Sequence, residues 1–513
     1  MTSRLTRRDF LKLTASAPLM PLAASAKLPA IEPVSASASQ PGQAGNILVL
    51  IYDAFSATHM PLYGYPRQTS PNLSRFAERA TVYHAHYAAS NFTTPGTASM
   101  LTGTYPWTHR ALHLHGDMLE QVAPHNFFRL AGEDYYRLGY SHNLLVTTLL
   151  YQMRQDMQDF KYPRELMLAD TAAADRLTPE DYNAALWSED FTLRGYDTHP
   201  GSLFLSHLNR LAEALKERAL LRRYGEQFPQ GIPNIHGVYY LLEPGIDWMI
   251  AHLSKLPQPF LAYLHFYPPH HPYYTRREFV GLFDDGYTPL KKPRHQFSEK
   301  DLNQAELNRR RQAYDEYIAY ADSEFGRLYD QLVSGGMLDS TTLLFTSDHG
   351  EMFERGIWGH NLRTLFEPVI HVPLIISRPG QTQRQDIYTP TSNVDLLPTL
   401  ANWMGKPLPG WGEGQTLPTS DDSPQAARPI YSMVASHEPQ RGPLAQGTFA
   451  LIKGGYKLIH YRGYPEGKTA YELYNLASDP EELDDRFTRE KGLAEAMREE
   501  LEEKLTEKTG RLQ

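Results

Sequence analysis

The 513-residue sequence has no cysteine, which excludes disulfides and a lipoprotein anchor. It also lacks the ~18 or more consecutive apolar residues that a membrane-spanning helix needs. A basic stripe of the kind that grips nucleic acid is missing too: 50 Lys and Arg are dispersed against 59 Asp and Glu, for a net charge of −9. The run Arg309-Arg310-Arg311 reads as the wet face of a helix. What is present, 41% hydrophobic and 21% charged residues, is an ordinary globular composition, long enough for one large domain and a smaller one. The 32 tyrosines suit core and interface packing, or a cleft that touches sugar or lipid.

The N-terminus reads as an address. Thr6-Arg-Arg-Asp-Phe-Leu-Lys12 is a twin-arginine pattern, followed by a modest apolar stretch and Ala24-Ser-Ala26, which suits cleavage after Ala26. The expected partner is the twin-arginine export machinery, which carries folded proteins, and the expected place is the bacterial periplasm or exterior. Residues 27–44, rich in Ala, Ser, Pro and Gln, read as a flexible spacer.

Beyond residue 45 the pattern is that of an α/β protein. Asn46–Tyr52 and Thr342–Thr346 are short apolar runs of the kind that form buried parallel strands. Asp53 ends the first, and Asp348 with His349 ends the second. Ligands of open α/β sheets gather at the carboxyl ends of strands, and two carboxylates with an imidazole there suit one divalent cation. Thr93 adds a hydroxyl just before Pro95-Gly96, where a helix can open. Ser70-Pro71 starts a helix, Phe127–Leu138 reads as a helix ended by Gly139, and Leu302–Leu332 as a long amphipathic helix ended by Gly335-Gly336. Pro244–Leu256 is a helix leading to a strand at Phe260–Leu264. Residues 430–434, 449–452 and 456–461 read as short antiparallel strands, and a charged helix runs from Gly492 to about Leu505.

These motifs resemble the sulfatase branch of the alkaline phosphatase superfamily, and the resemblance runs over most of the chain. Its carriers are Asp53, Tyr63-Gly-Tyr65 with Ser70–Ala77, Thr93–Gly103, His265-Phe-Tyr-Pro-Pro-His-His-Pro-Tyr273, Thr346-Ser-Asp-His-Gly-Glu351 with Gly359-His360, His371–Ile376 and Tyr471–Glu481. The resemblance implies a large mixed, mostly parallel sheet flanked by helices, with a smaller C-terminal α+β subdomain. The catalytic domain would span 45–404, with an insertion or lid at 150–233 that matches least well, and the subdomain would span 405–513.

The chain departs from the family where chemistry is done. Sulfatases carry Cys or Ser in C/S-x-P-S-R, oxidised to formylglycine. Aligned on Pro95 that position is Thr93, which cannot yield the aldehyde, and the Ser and Arg of the motif are Gly96 and Thr97. The second of the paired aspartates after the first strand is Ala54, and around Gly139-Tyr140 there is no lysine. An unmodified threonine is what related phosphotransferases and phosphodiesterases use. The resemblance therefore implies Thr93 as nucleophile, with Thr94 as runner-up. It implies a single metal ion, Mn²⁺ or Zn²⁺ before Ca²⁺ or Mg²⁺, on Asp53, Asp348, His349 and Thr93. His270 or His265 would protonate the leaving oxygen and His360 would hold equatorial oxygens. His270 is preferred to His271, Glu351 reads as a helix-start acid, and His109, His113 and His115 are candidate lining residues. The expected substrate is an anionic ester, on a glycan or lipid head group among the options, with phosphate or phosphonate ahead of sulfate. Transfer to a glycan alcohol and a non-catalytic metal-containing binding protein stand as alternatives.

Overall fold

The computed structural model describes residues 45–168, 203–235, 238–421, 428–465, 467 and 469–510. The expected signal sequence (1–26) and spacer (27–44), and residues 169–202 of the expected insertion, lie outside the described residues.

The core is an eight-stranded sheet. Its strands are β1 (Asn46–Tyr52), β2 (Thr81–Tyr83), β3 (Tyr136–Ser141), β4 (Asp159–Phe160), β5 (Phe260–Phe266), β6 (Thr341–Thr346), β7 (Leu374–Ser377) and β8 (Gln385–Ile387), in the order β8-β2-β7-β6-β1-β5-β3-β4. Parallel pairing joins β6, β1, β5, β3 and β4, while β7 runs antiparallel to both its neighbours. Successive side chains on a strand face opposite sides, and β1 divides accordingly. Leu48, Leu50 and Tyr52 pack with α5 (Leu242–His252) and α6 (Gln304–Ser334) through Ile246, Tyr317 and Phe325. Ile47, Val49 and Ile51 pack on the other side with α2 (Thr93–Thr102), α3 (Leu144–Gln152) and α7 (Leu396–Trp403) through Leu101, Val146 and Leu400. Both faces are covered, which is why these runs are apolar throughout.

Register then positions the site. Ile51 pairs with His265 and with Thr346, and Ser141 pairs with His265, so four parallel strands end level at one edge.

One expected element is corrected. Phe127–Leu138 is not a continuous helix: Phe127–Ala131 is a short helix stopped at Gly132 with φ 66°, and Gly139 lies inside β3. The segment pairs with the central β5, and a Cβ at Gly139 would stand 2.4 Å from Met157 Sδ, so glycine serves packing here and not helix termination. The helix α1 (Pro71–Ala77) buries Leu73, Phe76 and Ala77. In α4 (Leu203–Tyr224), Leu211 and Leu215 are exposed.

Beyond the large sheet, Ile430–Val434, Gly447–Lys453, Tyr456–Arg462 and Tyr471–Asn475 form an antiparallel meander, one strand more than the sequence pattern suggested. The final helix α8 (Lys491–Gly510) covers it with Ala494, Met497, Leu501 and Leu505. Among the described residues no helix is long and apolar enough to cross a membrane.

Phe345 of β6 meets the rings of Tyr52, Phe55 and Phe325 at 5.2, 5.7 and 5.5 Å and is fully buried. Phe345→Ala should cost about 3–5 kcal/mol, seen as a lower denaturant midpoint for loss of tertiary structure.

Candidate active site

Asp53 leaves the end of β1 with its N–H donating to the Phe266 carbonyl at 2.9 Å, which ties it to the end of β5. Ala54, next in line, has φ 58°, a left-handed backbone that costs a non-glycine residue. Tyr314 of α6 holds it there by donating its hydroxyl hydrogen to the Ala54 carbonyl at 2.6 Å. Beyond β6, Ser347 accepts from Phe55 N–H at 2.9 Å and donates to the His349 carbonyl at 2.7 Å, lacing the two strand ends together.

Asp53, Asp348 and His349 are fully buried. His349 Nδ1 lies 2.8 Å from the Gly350 carbonyl, which can only accept, so Nδ1 carries the hydrogen and Nε2 faces the site. That nitrogen stands 3.4 Å from Asp53 Oδ1 and 3.7 Å from Asp348 Oδ2. Neither oxygen has a hydrogen-bond partner. His265 Nε2 approaches from the same layer, 3.2 Å from Asp53 Oδ2 and 3.9 Å from Asp348 Oδ2, with its Nδ1 beside the Tyr263 hydroxyl at 2.9 Å. Two buried carboxylate oxygens without donors, converging with imidazole, fit a divalent cation, since a buried anion needs a compensating charge.

Burial alone would raise the Asp53 carboxyl, but the imidazoles around it, His270, His265 and His349, hold it well below the usual carboxylate range. Asp348 is pushed up by burial and by the charge of Asp53. Burial disfavours an imidazolium at His349, yet the two carboxylates overcome it and raise this group to about 9.

Thr93 opens α2 without capping it; the N-cap is Phe92. Its Oγ1 lies 3.2 Å from His349 Nε2 and accepts from Asn143 Nδ2 at 3.4 Å. Asn143 also donates to Asp53 Oδ2 at 2.6 Å and caps α3 by accepting from Leu145 N–H. Thr94 instead donates to the Leu114 carbonyl at 2.5 Å, away from the cluster. The helix sits this close because Gly96 has no side chain: a Cβ there would stand 2.4 Å from the Asp348 carbonyl oxygen.

On the more open side, His270 Nε2 and His360 Nε2 face each other at 3.2 Å, and the His360 and His349 ring centroids are 4.5 Å apart. Glu351 is no helix-start acid: it is fully buried, followed by the strand Met352–Glu354, with Oε1 2.9 Å from His360 Nδ1 and Oε2 accepting from the Tyr273 hydroxyl at 3.0 Å. Of the lining candidates, His109 is buried with Nε2 3.0 Å from Ser99 Oγ, and His113 Nδ1 is 3.0 Å from the Ser436 carbonyl.

The structure thus brings Asp53, Thr93, His265, Asp348 and His349 into one buried cluster, with His270 and His360 beside it. It places His265 under the carboxylates, where it contacts them directly. Sequence reasoning passed over Asn143 and misread Glu351. Asn143 had a signal, a polar residue able to cap the helix after it; nothing local marked the role of Glu351.

A family description named Sulfatase matches residues 45–406. The chain belongs to the sulfatase family. A second description, N-sulphoglucosamine sulphohydrolase, C-terminal, matches residues 354–511. The choline-sulfatase of Rhizobium meliloti (strain 1021) is 27% identical over 472 residues, covering 85% of this chain and 81% of its own length. The phosphonate monoester hydrolase of Agrobacterium radiobacter shares the fold at a TM-score of 0.64 and 18% identity, over 91% of this chain and 96% of its own. A protein solved in complex with its substrate D-glucosamine-2-N,6-O-disulfate does so at 0.63 and 16%, over 91% and 99%. This sulfatase-family protein is thus an ester hydrolase of the alkaline phosphatase superfamily. Members of the family bind a divalent metal, and the buried cluster supplies candidate ligand groups.

The raised His349 sets a pH dependence. A folded-state value above the ordinary 6.5 contributes stability that is complete below about 6.5 and lost as pH rises through about 9. The thermal midpoint of chelator-treated protein should therefore fall between about pH 7 and pH 10, and saturating divalent cation should remove most of that fall.

Proposed function

We propose that this sulfatase-family protein cleaves a phosphate mono- or diester, or a phosphonate ester, with Thr93 as nucleophile. The carrying observation is the Thr93 hydroxyl at the mouth of the carboxylate cluster, 3.2 Å from His349 Nε2, in a chain without a formylglycine precursor. When held by Asp53, Asp348, His349 and Thr93, a divalent ion (Mn²⁺ or Zn²⁺ before Ca²⁺ or Mg²⁺) supplies positive charge that lowers the pKa of the hydroxyl and offsets charge on the ester oxygens.

Asn143 fixes the position of Oγ1 through its Nδ2, and main-chain N–H groups of the first turn of α2 face the same anion. The Thr93 oxygen bonds to phosphorus as the bond to the leaving alcohol breaks, and the hydroxyl proton that Thr93 gives up passes to the departing oxygen by way of the His270–His360 pair. Water then attacks the phospho-threonine, freeing the phosphate or phosphonate and restoring the hydroxyl. Accepting a glycan alcohol in place of water would make the same steps a transfer.

A second reading, hydrolysis of a sulfate ester, is favoured by the sulfatases among its relatives. Direct attack by threonine weakens it, because a sulfated threonine lacks the hemiacetal route by which a formylglycine hydrate is released. Export by the twin-arginine route, on the motif at Thr6–Lys12, completes the proposal.

Metal-reconstituted mature protein should turn over aryl phosphate or phosphonate esters, and Thr93→Ala should reduce kcat on the order of 10³-fold or more while metal content stays near that of wild type. Quenched wild type should gain the mass of one phospho-group. Turnover confined to aryl sulfates would replace the first reading by the second, and undiminished ligand affinity without any turnover would indicate a binding protein.

A further inference from the structure

The run Arg309-Arg310-Arg311, expected on the wet face of a helix, divides three ways in α6. Arg309 has 73% of its side chain exposed and reaches back to Glu306. Arg311 is buried and donates to the Phe353 carbonyl at 3.0 Å. Arg310 lies between these extremes, 31% exposed, with its guanidinium carbon 3.9 Å from the centre of the Trp358 ring. The expectation therefore holds for Arg309 alone. Successive helical positions are about 100° apart, so three in a row cannot share one face.

Two contacts fix the Arg310 guanidinium. Its Nε donates to Glu306 Oε1 at 2.7 Å, one helical turn back, and its flat face lies on Trp358. Trp358 is itself held. It sits in the strand Ile357–Gly359 opposite Phe353, and its Nε1–H donates to the Tyr273 hydroxyl at 3.1 Å. Among the described residues no hydrogen bond reaches Arg310 Nη1 or Nη2; Nε alone is engaged. Glu306 does not cancel the charge, because Arg309 takes its other oxygen and one carboxylate faces two guanidiniums. A guanidinium is a rigid fork matched to a carboxylate, phosphate or sulfate. This fork is already in place with its outer end open, so little side-chain freedom is left to lose on binding.

Ring contacts lead from the carboxylate cluster to this cation. His349 and His360 have centroids 4.5 Å apart, His360 and His271 5.6 Å, and His271 and Trp358 5.7 Å. His349 is fully buried, while His271, Trp358 and Arg310 are partly exposed, so the line runs outward. It starts at the histidines that serve the departing oxygen, which puts Arg310 on the side of the leaving alcohol.

We propose that Arg310, seated on Trp358, is a specificity residue that binds a second anionic group of the substrate, carried by its leaving alcohol. The preferred substrate is then a polyanionic ester, such as a glycan with a further carboxylate, phosphate or sulfate. This inference rests on the proposed placement of the leaving alcohol beside His270 and His360.

The test uses mature, metal-reconstituted Thr93→Ala protein. The probes are aryl phosphonate esters whose leaving phenol carries a carboxylate on tethers of increasing length, each paired with its uncharged carboxamide. Calorimetry reads both affinities. At the tether length that reaches Arg310 the carboxylate should bind about 10-fold or more tightly than its carboxamide, and the advantage should shrink as salt rises. With wild type the same advantage should appear in KM and not in kcat. Adding Arg310→Gln should erase it, and Arg310→Lys, which keeps the charge without the fork, should keep only part of it. Circular dichroism verifies folding, and Arg310→Lys carries the test if Arg310→Gln does not fold. Equal binding within every pair, or an advantage undiminished by both substitutions, would overturn the proposal. Failure of the proposed function shows separately, as wild type that binds the esters with the charge preference and turns none of them over. Absence of binding by every member would overturn both.

Discussion

The site depends on a pair of buried negative charges. Asp53 and Asp348 sit at the ends of adjacent parallel strands, each with one oxygen that no donor satisfies. Isolated carboxylates in an apolar interior are strongly unfavourable, so much of the local architecture supplies compensation. His349, His265 and Asn143 all converge on the carboxylate of Asp53. The left-handed Ala54 and the Tyr314 hydroxyl hold the turn that aims Asp53, and Ser347 joins it to the turn that aims Asp348. The strain of one residue and the order of a long helix both serve the placement of two oxygens.

The C-terminal sheet is tied to this arrangement by charge as well as by apolar packing. Lys457, fully buried on the third strand of the meander, pairs with Glu367 at 2.8 Å and Glu482 at 2.5 Å, and Glu482 also accepts from the Glu367 main-chain N–H. Glu367 begins the short helix that leads to His371 and β7. Buried ion pairs add little net stability over apolar packing, but they tolerate few arrangements. Here they link the meander to the segment that follows the site loop.

The parts legible in the sequence were those carried by local pattern. The apolar runs before Asp53 and Asp348 announced β1 and β6, and the three-and-four spacing from Tyr314 to Leu332 announced α6. The segment around Gly139 misled because glycine after a helical pattern reads as a stop, while its real role, making room for Met157, depends on a contact eighteen residues away in sequence. Glu351 misled in a similar way. In isolation it is an acid after a glycine; its function as partner of His360 and Tyr273 exists only once a hairpin and a proline-rich loop have met. Hydrogen-bond direction, which sets the tautomers of His270 and His349, has no sequence signature at all.

One contact has an evolutionary consequence. At Gly96 the main chain of the threonine helix rests on the main chain of Asp348, with no side chain between them. The distance from residue 93 to the carboxylates is therefore a property of two backbones. On the proposed function, substitution at position 93 changes the reagent and leaves its placement alone. A lineage built this way can trade one nucleophile for another, and with it one class of anionic ester for another, without rebuilding the cradle beneath.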